Sequence, residues 1–182
     1  MNLDEADSLS EQIAKYISEQ IISGELVEGE RIQELRIAKE LDVSRGSVRE
    51  ALLLLERTYL IEIFPRRGAI VSEMSAQQVK ALFDTNVMVL GHIVQRISET
   101  WRVNEAEQLQ TLLDQLVEFV RAGDIEKFYD SIFKYLADQH DMVANPYLMQ
   151  FYKELLPSLR RSYFLTLNTS RRELQESFTL FK

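Results

Sequence analysis

Along residues 1–74 the apolar positions change period, and each change marks an element. Ile13, Ile17 and Ile21 recur every four residues, the spacing of one helix face. Ser10 stands where an N-cap belongs and Gly24 where a helix stops. In "IQELRIAKEL" the residues Ile32, Leu35, Ala38 and Leu41 repeat the pattern and predict a second short helix. After the tight turn "LDVS", Val48, Leu52 and Leu55 form the stripe of a third. Ser44 is its predicted N-cap, and Val43 with Val48 has the spacing of a hydrophobic staple. The stretch "LIEIFPRRGAIVSE" then shifts to period two. Ile61, Glu62 and Ile63 alternate, Pro65-Arg66-Arg67-Gly68 has turn chemistry, and Ala69 to Val71 is a second apolar run. Three helices and a two-stranded hairpin predict a winged helix-turn-helix over residues 1–74.

Residues 75–182 read as helix throughout, which makes the chain mainly α, with a helical bundle following the winged domain. Ser75 and Gln78 form a capping box, and Met74 with Val79 a second staple. One long amphipathic segment carries Val79, Leu82, Phe83, Leu90, Ile93, Val94, Ile97 and Trp101, with His92 beside its apolar face as an expected packing residue. Asn104 and Glu107 cap a helix striped by Leu109, Leu112, Leu113, Leu116 and Val120 and ended by Gly123. Residues 124–139 form the next. Asn145-Pro146 opens another in N-cap and N1 positions, and Pro157 is expected to kink or break it. Ser170 and Glu173 cap a last helix that has no stop signal before Lys182, so the final element is expected to be incomplete.

Composition narrows the chemistry. No apolar run approaches the roughly 18 residues that span a bilayer, so no membrane role is expected. The acidic start "MNLDEADSLSEQ" lacks the features of a signal peptide. The absence of cysteine excludes disulfides and fits a cytoplasmic protein. Two histidines, His92 and His140, offer little for a metal cage or a triad. His140, between Asp138 and Asp141 near a helix end, is expected to cap or face solvent. With no Gly-rich phosphate loop and no Gly-x-Ser-x-Gly, no catalytic residues and no cofactor are expected, and the chain does not read as an enzyme.

The formal charge of -8 runs against phosphate binding. Residues 1–74 hold nine Lys/Arg against fifteen Asp/Glu, yet Leu41 to Ala69 holds five arginines against four acids. Arg45, Ser47 and Arg49 lie off the buried stripe at the exposed start of the third helix, and Arg66 and Arg67 at the hairpin tip. A recognition helix presents such N-terminal residues to the major groove while a wing reaches the neighbouring one. Arginine forks hold guanine O6 and N7, and serine hydroxyls bind phosphate. Gly46 is a poor helix residue, tolerated in a first turn and expected there to let another backbone come close.

The stretch "GELVEGERIQELRIAKELDVSRGSVREALLLLERTYLIEIFPRRGAIV" resembles the winged-helix domain of GntR-type bacterial transcription regulators. It keeps the E-x-x-L-A-like segment, the V-S-R-x-x-V-R-E-A-L signature and the R-G-x-x-V wing, but has Gly46-Ser47 for Thr-Pro and Glu28-Gly29 for Pro-Gly. The resemblance implies operator contact through Ser44, Arg45, Ser47, Arg49 and the wing glycine Gly68, with Gly46, Arg66 and Arg67 beside them. Residues 75–182 resemble the effector domain of the FadR-like (FCD) branch, whose members form homodimers and bind a small carboxylate, often through a divalent metal. In "DSIFKYLADQHDMVANPYL" the motif's aspartate is kept as Asp130, but Lys134 replaces its first histidine. The second should fall near Ser177 or Phe178 and the third beyond Lys182, so no metal is expected. Asp130 and Lys134, one turn apart, form either a solvated surface pair or a site where the ammonium replaces the metal's charge, holding Asp130 or meeting an anionic ligand. Arg160 and Arg161 could add charge for a carboxylate. The implied function is a homodimeric regulator of a palindromic operator, controlled by a small organic acid. The rival is a ligand-independent dimeric DNA-binding or architectural module lacking a complete effector pocket.

Overall fold

The computed structural model describes residues 8–101 and 103–167. The chain divides into two compact units between Val79 and Lys80, a few residues beyond the Met74–Ser75 junction expected from sequence.

The first unit is built on α1 (Leu9–Ile22), α2 (Glu34–Leu41) and α3 (Arg45–Glu56), followed by strands β1 (Ile61–Phe64) and β2 (Gly68–Val71). Ser8, rather than Ser10, caps α1: its hydroxyl accepts from the Glu11 N–H while the Glu11 carboxylate accepts from the Ser8 N–H. Only Ser8 has a glutamate three residues on, as that reciprocal box requires. Ser10 is freed to donate to Glu50 at 2.8 Å, tying α1 to α3. Beyond α1, Gly24 adopts φ +80°, and the Leu26 N–H returns to the Gln20 carbonyl.

Helix α2 starts later than its apolar pattern suggested. Ile32 is buried, but it precedes the helix in a segment that runs along β2, donating from its N–H to the Ala69 carbonyl at 2.9 Å. The helix phase is set from Glu34, so Ile37 and Ala38 face the core and Leu35 is 63% exposed. Val48, Ala51, Leu52 and Leu55 of α3 pack with Ile13, Ile17 and Ile21 of α1 and with Leu60, Ile61, Ala69 and Val71. The hairpin is antiparallel, with Ile61 opposite Val71 and Phe64 opposite Gly68.

Among the described residues, the second unit contains helices and no strand. Helix α4 (Ala76–Thr100) begins with the expected box: the Ser75 N–H reaches the Gln78 amide oxygen at 2.9 Å, and the Gln78 N–H returns to the Ser75 hydroxyl. Its buried face is Asn86, Val89, Ile93 and Ile97. Val94 and Trp101, assigned to that face from sequence, are exposed. His92 is exposed too, because one residue is about 100° of rotation and carries it away from Ile93.

Helix α5 (Val103–Ala122) already includes Asn104, so that residue is not its N-cap. Gly123 ends α5 at φ +69°, and the Asp124 side chain caps α6 (Ile125–Ala137). Leu116 of α5 packs against Phe128 and Ile132 of α6. The short α7 (His140–Val143) went unread in the sequence. The Thr100 hydroxyl and Arg96 Nε, both on α4, donate to its Met142 and Val143 carbonyls. The Asn145 side chain accepts from the Leu148 N–H at the start of α8 (Pro146–Leu167). Pro157 does not break α8, although the ring has no N–H to give. Leu155 and Leu159, buried on either side of it, hold both halves against Val89, Ile93 and Phe133. The cap at Ser170 and Glu173 and the histidine positions near Ser177 and Phe178 lie outside the described residues.

Candidate nucleic-acid interface

The start of α3 is fixed by local geometry. Asp42 takes a left-handed conformation, φ 54°, and turns the chain out of α2. Ser44 is extended, and its hydroxyl accepts the Ser47 N–H at 3.0 Å while lying 2.9 Å from the Ser47 hydroxyl. Val43 packs at the edge of the core and Val48 inside it, as a staple requires. The buried side of α3 is thereby committed, and Arg45, Gly46 and Arg49 are left exposed.

A methyl group at Gly46 would meet nothing closer than the Ser44 hydroxyl at 3.5 Å. Among the described residues no backbone outside its own helix comes within 4 Å of that methyl position. What Gly46 supplies is an open surface at the tip of the helix.

The wing turns through Arg66 at φ 66° and Gly68 at φ 80°, with the Arg67 N–H donating to the Phe64 carbonyl at 3.2 Å. A left-handed arginine costs on the order of 1–2 kcal/mol. A methyl at Gly68 would find ordinary contacts, 3.6 Å from Arg31 Nε, so backbone conformation rather than crowding demands glycine there.

These pieces enclose one groove of about 510 Å³ lined by Arg31, Glu34, Leu35, Arg45, Arg49, Arg66 and Gly68, among others. Arg45, Arg49, Arg66 and Gly68 were anticipated; Ser44, Gly46 and Ser47 stand at the same helix end, and Arg67 is exposed at the wing tip. Arg31 and Glu34 were not foreseen. Arg31 reaches the groove because its residue bridges Ile70 of β2, a pairing between segments far apart in sequence. Its signal was the short alternation around Ile32, hidden under the helical pattern that follows. Glu34, the first residue of α2, accepts from Arg49 Nε at 2.9 Å and lies 3.7 Å from an Arg45 terminal nitrogen.

The residues read as effector ligands are arranged differently from expectation. Asp130 on α6 is held by both arms of Arg160 on α8, at 2.7 and 3.0 Å. Lys134 is exposed and makes no ion pair with Asp130. The planar guanidinium gives two aligned bonds where an ammonium one turn away gives one. Arg161 is buried. Among the described residues no three His, Asp or Glu side chains converge, and the one matching aspartate faces a guanidinium, so this donor set does not fit a metal ion. Inside the second unit, Asn86 Oδ1 and Tyr152 Oη are buried and have no hydrogen-bond partner among the described residues. Burial also pushes the Tyr163 hydroxyl up to about 12 and that of Tyr152 higher still.

A three-helix domain whose exposed helix start faces a basic wing across an arginine-lined groove is a winged helix-turn-helix of the DNA-binding class. Residues 9–71 match the model for bacterial regulatory proteins of the gntR family. The first unit therefore carries the GntR-family regulatory domain, and the chain's relatives and fold are those of transcription regulators rather than enzymes. Among its relatives is the gluconate operon transcriptional repressor of Bacillus subtilis, 22% identical over 168 residues covering 92% of this chain and 69% of the other. The protein of the same name from Bacillus licheniformis is 25% identical over 93% of this chain, which spans 63% of that relative's length. The fold is shared with E. coli McbR/YncC at a TM-score of 0.78 and 21% identity, over 96% of this chain and 83% of that one.

Proposed function

We propose that this regulator binds a palindromic operator as a homodimer and that its helical unit, of the FCD type, responds to a small organic acid. The groove between the start of α3 and the wing carries the DNA reading: Ser44, Arg45, Gly46, Ser47, Arg49, Arg66, Arg67 and Gly68 occupy or flank a surface whose guanidiniums face outward. The acid elsewhere on the chain leaves this edge as the place for phosphate. Dimerisation is supported by the outer face of α4, where Val87 and Met88 are 68% and 69% exposed and Val94 lies two turns on. Gly91 stands between them with nothing near it, which suits close approach of a second helix.

The reading is tested by selecting duplexes from a random pool with the full chain. A two-fold symmetric consensus is expected, and failure to enrich any sequence would overturn it. Met88→Glu is expected to yield a monomer in analytical ultracentrifugation that prefers a half-site, with its melting temperature little changed because Met88 is already exposed.

The effector reading draws on the unpartnered Asn86 and Tyr152 atoms, which a small polar molecule would satisfy. Control by a ligand would operate by linkage: an acid that prefers one arrangement of the dimer changes operator affinity by its differential binding. The Asp130–Arg160 clamp favours the second reading, a ligand-independent module, because the paired Nε and Nη2 edge that would grip a carboxylate is already held by Asp130. A panel of carboxylic acids separates the two. A bound acid at a hundred times its dissociation constant adds about 2.7 kcal/mol, a rise of roughly 5–10 °C for a chain of this size. Lys134→Ala should diminish that rise if the ammonium meets the acid, and no shift with any acid leaves the ligand-independent module standing.

A further inference from the structure

The four arginines of the groove fall into two kinds, and a single carboxylate divides them. Arg49 and Arg45 converge on the same Glu34 oxygen, whereas Arg31 and Arg66 have no ion pair among the described residues. Glu34 is the first residue of α2 and its side chain is only 22% exposed, less than half as open as those of Arg45 at 54% and Arg49 at 63%. It is therefore the most buried of the three charges, the fixed point on α2 to which both guanidiniums reach.

An acid in a phosphate-binding groove opposes non-specific association, which is driven by counterion release and depends on net positive charge. Its geometry brings a compensating effect. Arg49 spends its Nε on Glu34, so that bond leaves the two terminal nitrogens at the end of the fork for other acceptors. Those atoms make the paired bond to guanine O6 and N7. Without the carboxylate the same flexible side chains would turn toward the nearest phosphates.

We infer that Glu34 is a specificity-determining positioning residue: it orients Arg49 for base edges, draws Arg45 to the same place and lowers affinity for DNA that lacks the right bases. Arg31 and Arg66 then hold phosphate. The inference rests on the DNA-binding reading above. Its content is the division of labour, since a carboxylate that merely stabilised the fold would affect all duplexes alike.

The experiment uses the full chain, a duplex enriched from a random pool by the wild-type protein, and a scrambled duplex of equal length. Glu34→Gln keeps size and polarity while removing the charge. It should bind the scrambled duplex more tightly, with a salt slope steeper by about one. The ratio of enriched to scrambled affinity should fall about tenfold or more, the scale of one lost base-edge pair. Arg31→Ala should weaken both duplexes equally and flatten the slope by about one. An unchanged ratio in Glu34→Gln, or an equal loss on both duplexes, overturns the inference. Glu34→Asp guards against a folding defect: it keeps the charge with a shorter reach and should retain the shallow slope while losing part of the ratio. A wild-type chain that fails to discriminate between duplexes instead overturns the DNA reading itself.

Discussion

Arg45→Ala is expected to remove most sequence-specific DNA binding while leaving the fold intact. Arg45 is half exposed, and its ion pair with Glu34 spans 3.7 Å. Exposed pairs of this kind contribute about 0–1 kcal/mol to stability, so the melting temperature should barely move. The loss on DNA is much larger, because a bidentate base contact carries about 1–3 kcal/mol of discrimination, roughly five- to 150-fold. Fluorescence anisotropy with the enriched and scrambled duplexes reads both quantities. The double variant Arg45→Ala/Arg49→Ala should lose less than the product of its single variants, since both side chains share one Glu34 oxygen and neighbours with a common partner are not additive. Unaltered discrimination by Arg45→Ala would mean that α3 does not present its first turn to bases.

The parts of this interface that were legible in the sequence are those fixed by neighbours along the chain. Ser44, Val43 and Val48 lie within six consecutive residues, and cap and staple chemistry is a matter of spacing. The hairpin was legible because period two and a Pro-Arg-Arg-Gly turn are local signals as well. Arg31, Glu34 and the Asp130–Arg160 clamp were not, and the reason is common to them. Arg31 enters the groove through a bridge to Ile70, Glu34 meets Arg49 fifteen residues on, and Arg160 comes from a helix thirty residues beyond Asp130. No periodicity records such pairings. Local rules also misled where two of them competed: Asp130 and Lys134 have ion-pair spacing on one helix, yet the fork of Arg160 on another helix takes the carboxylate. The α3 and wing residues that the family likeness names lie in or beside one groove, but that likeness carried no information on the acid among them.

Leu52→Ala should abolish DNA binding by a different route, through the fold of the first unit alone. Leu52 is 2% exposed and lies on the α3 face that packs with Ile13 and Ile17, while its neighbour Leu53 is 57% exposed. Truncating a buried leucine leaves a cavity and costs about 2–5 kcal/mol, a large share of the 5–15 kcal/mol that typical domains possess. For a domain the size of this first unit, each kcal/mol lowers the melting temperature by about 4–8 °C. Calorimetry should therefore show an early transition from the winged unit, about 8 °C or more below wild type on the same scale, with the helical unit's transition unmoved because its core is made of other residues. Leu53→Ala, which changes the same side chain one position along, should stay within about 0.5 kcal/mol of wild type. Equal losses from the two variants would show that the α3 face packed on α1 does not hold the recognition helix in place.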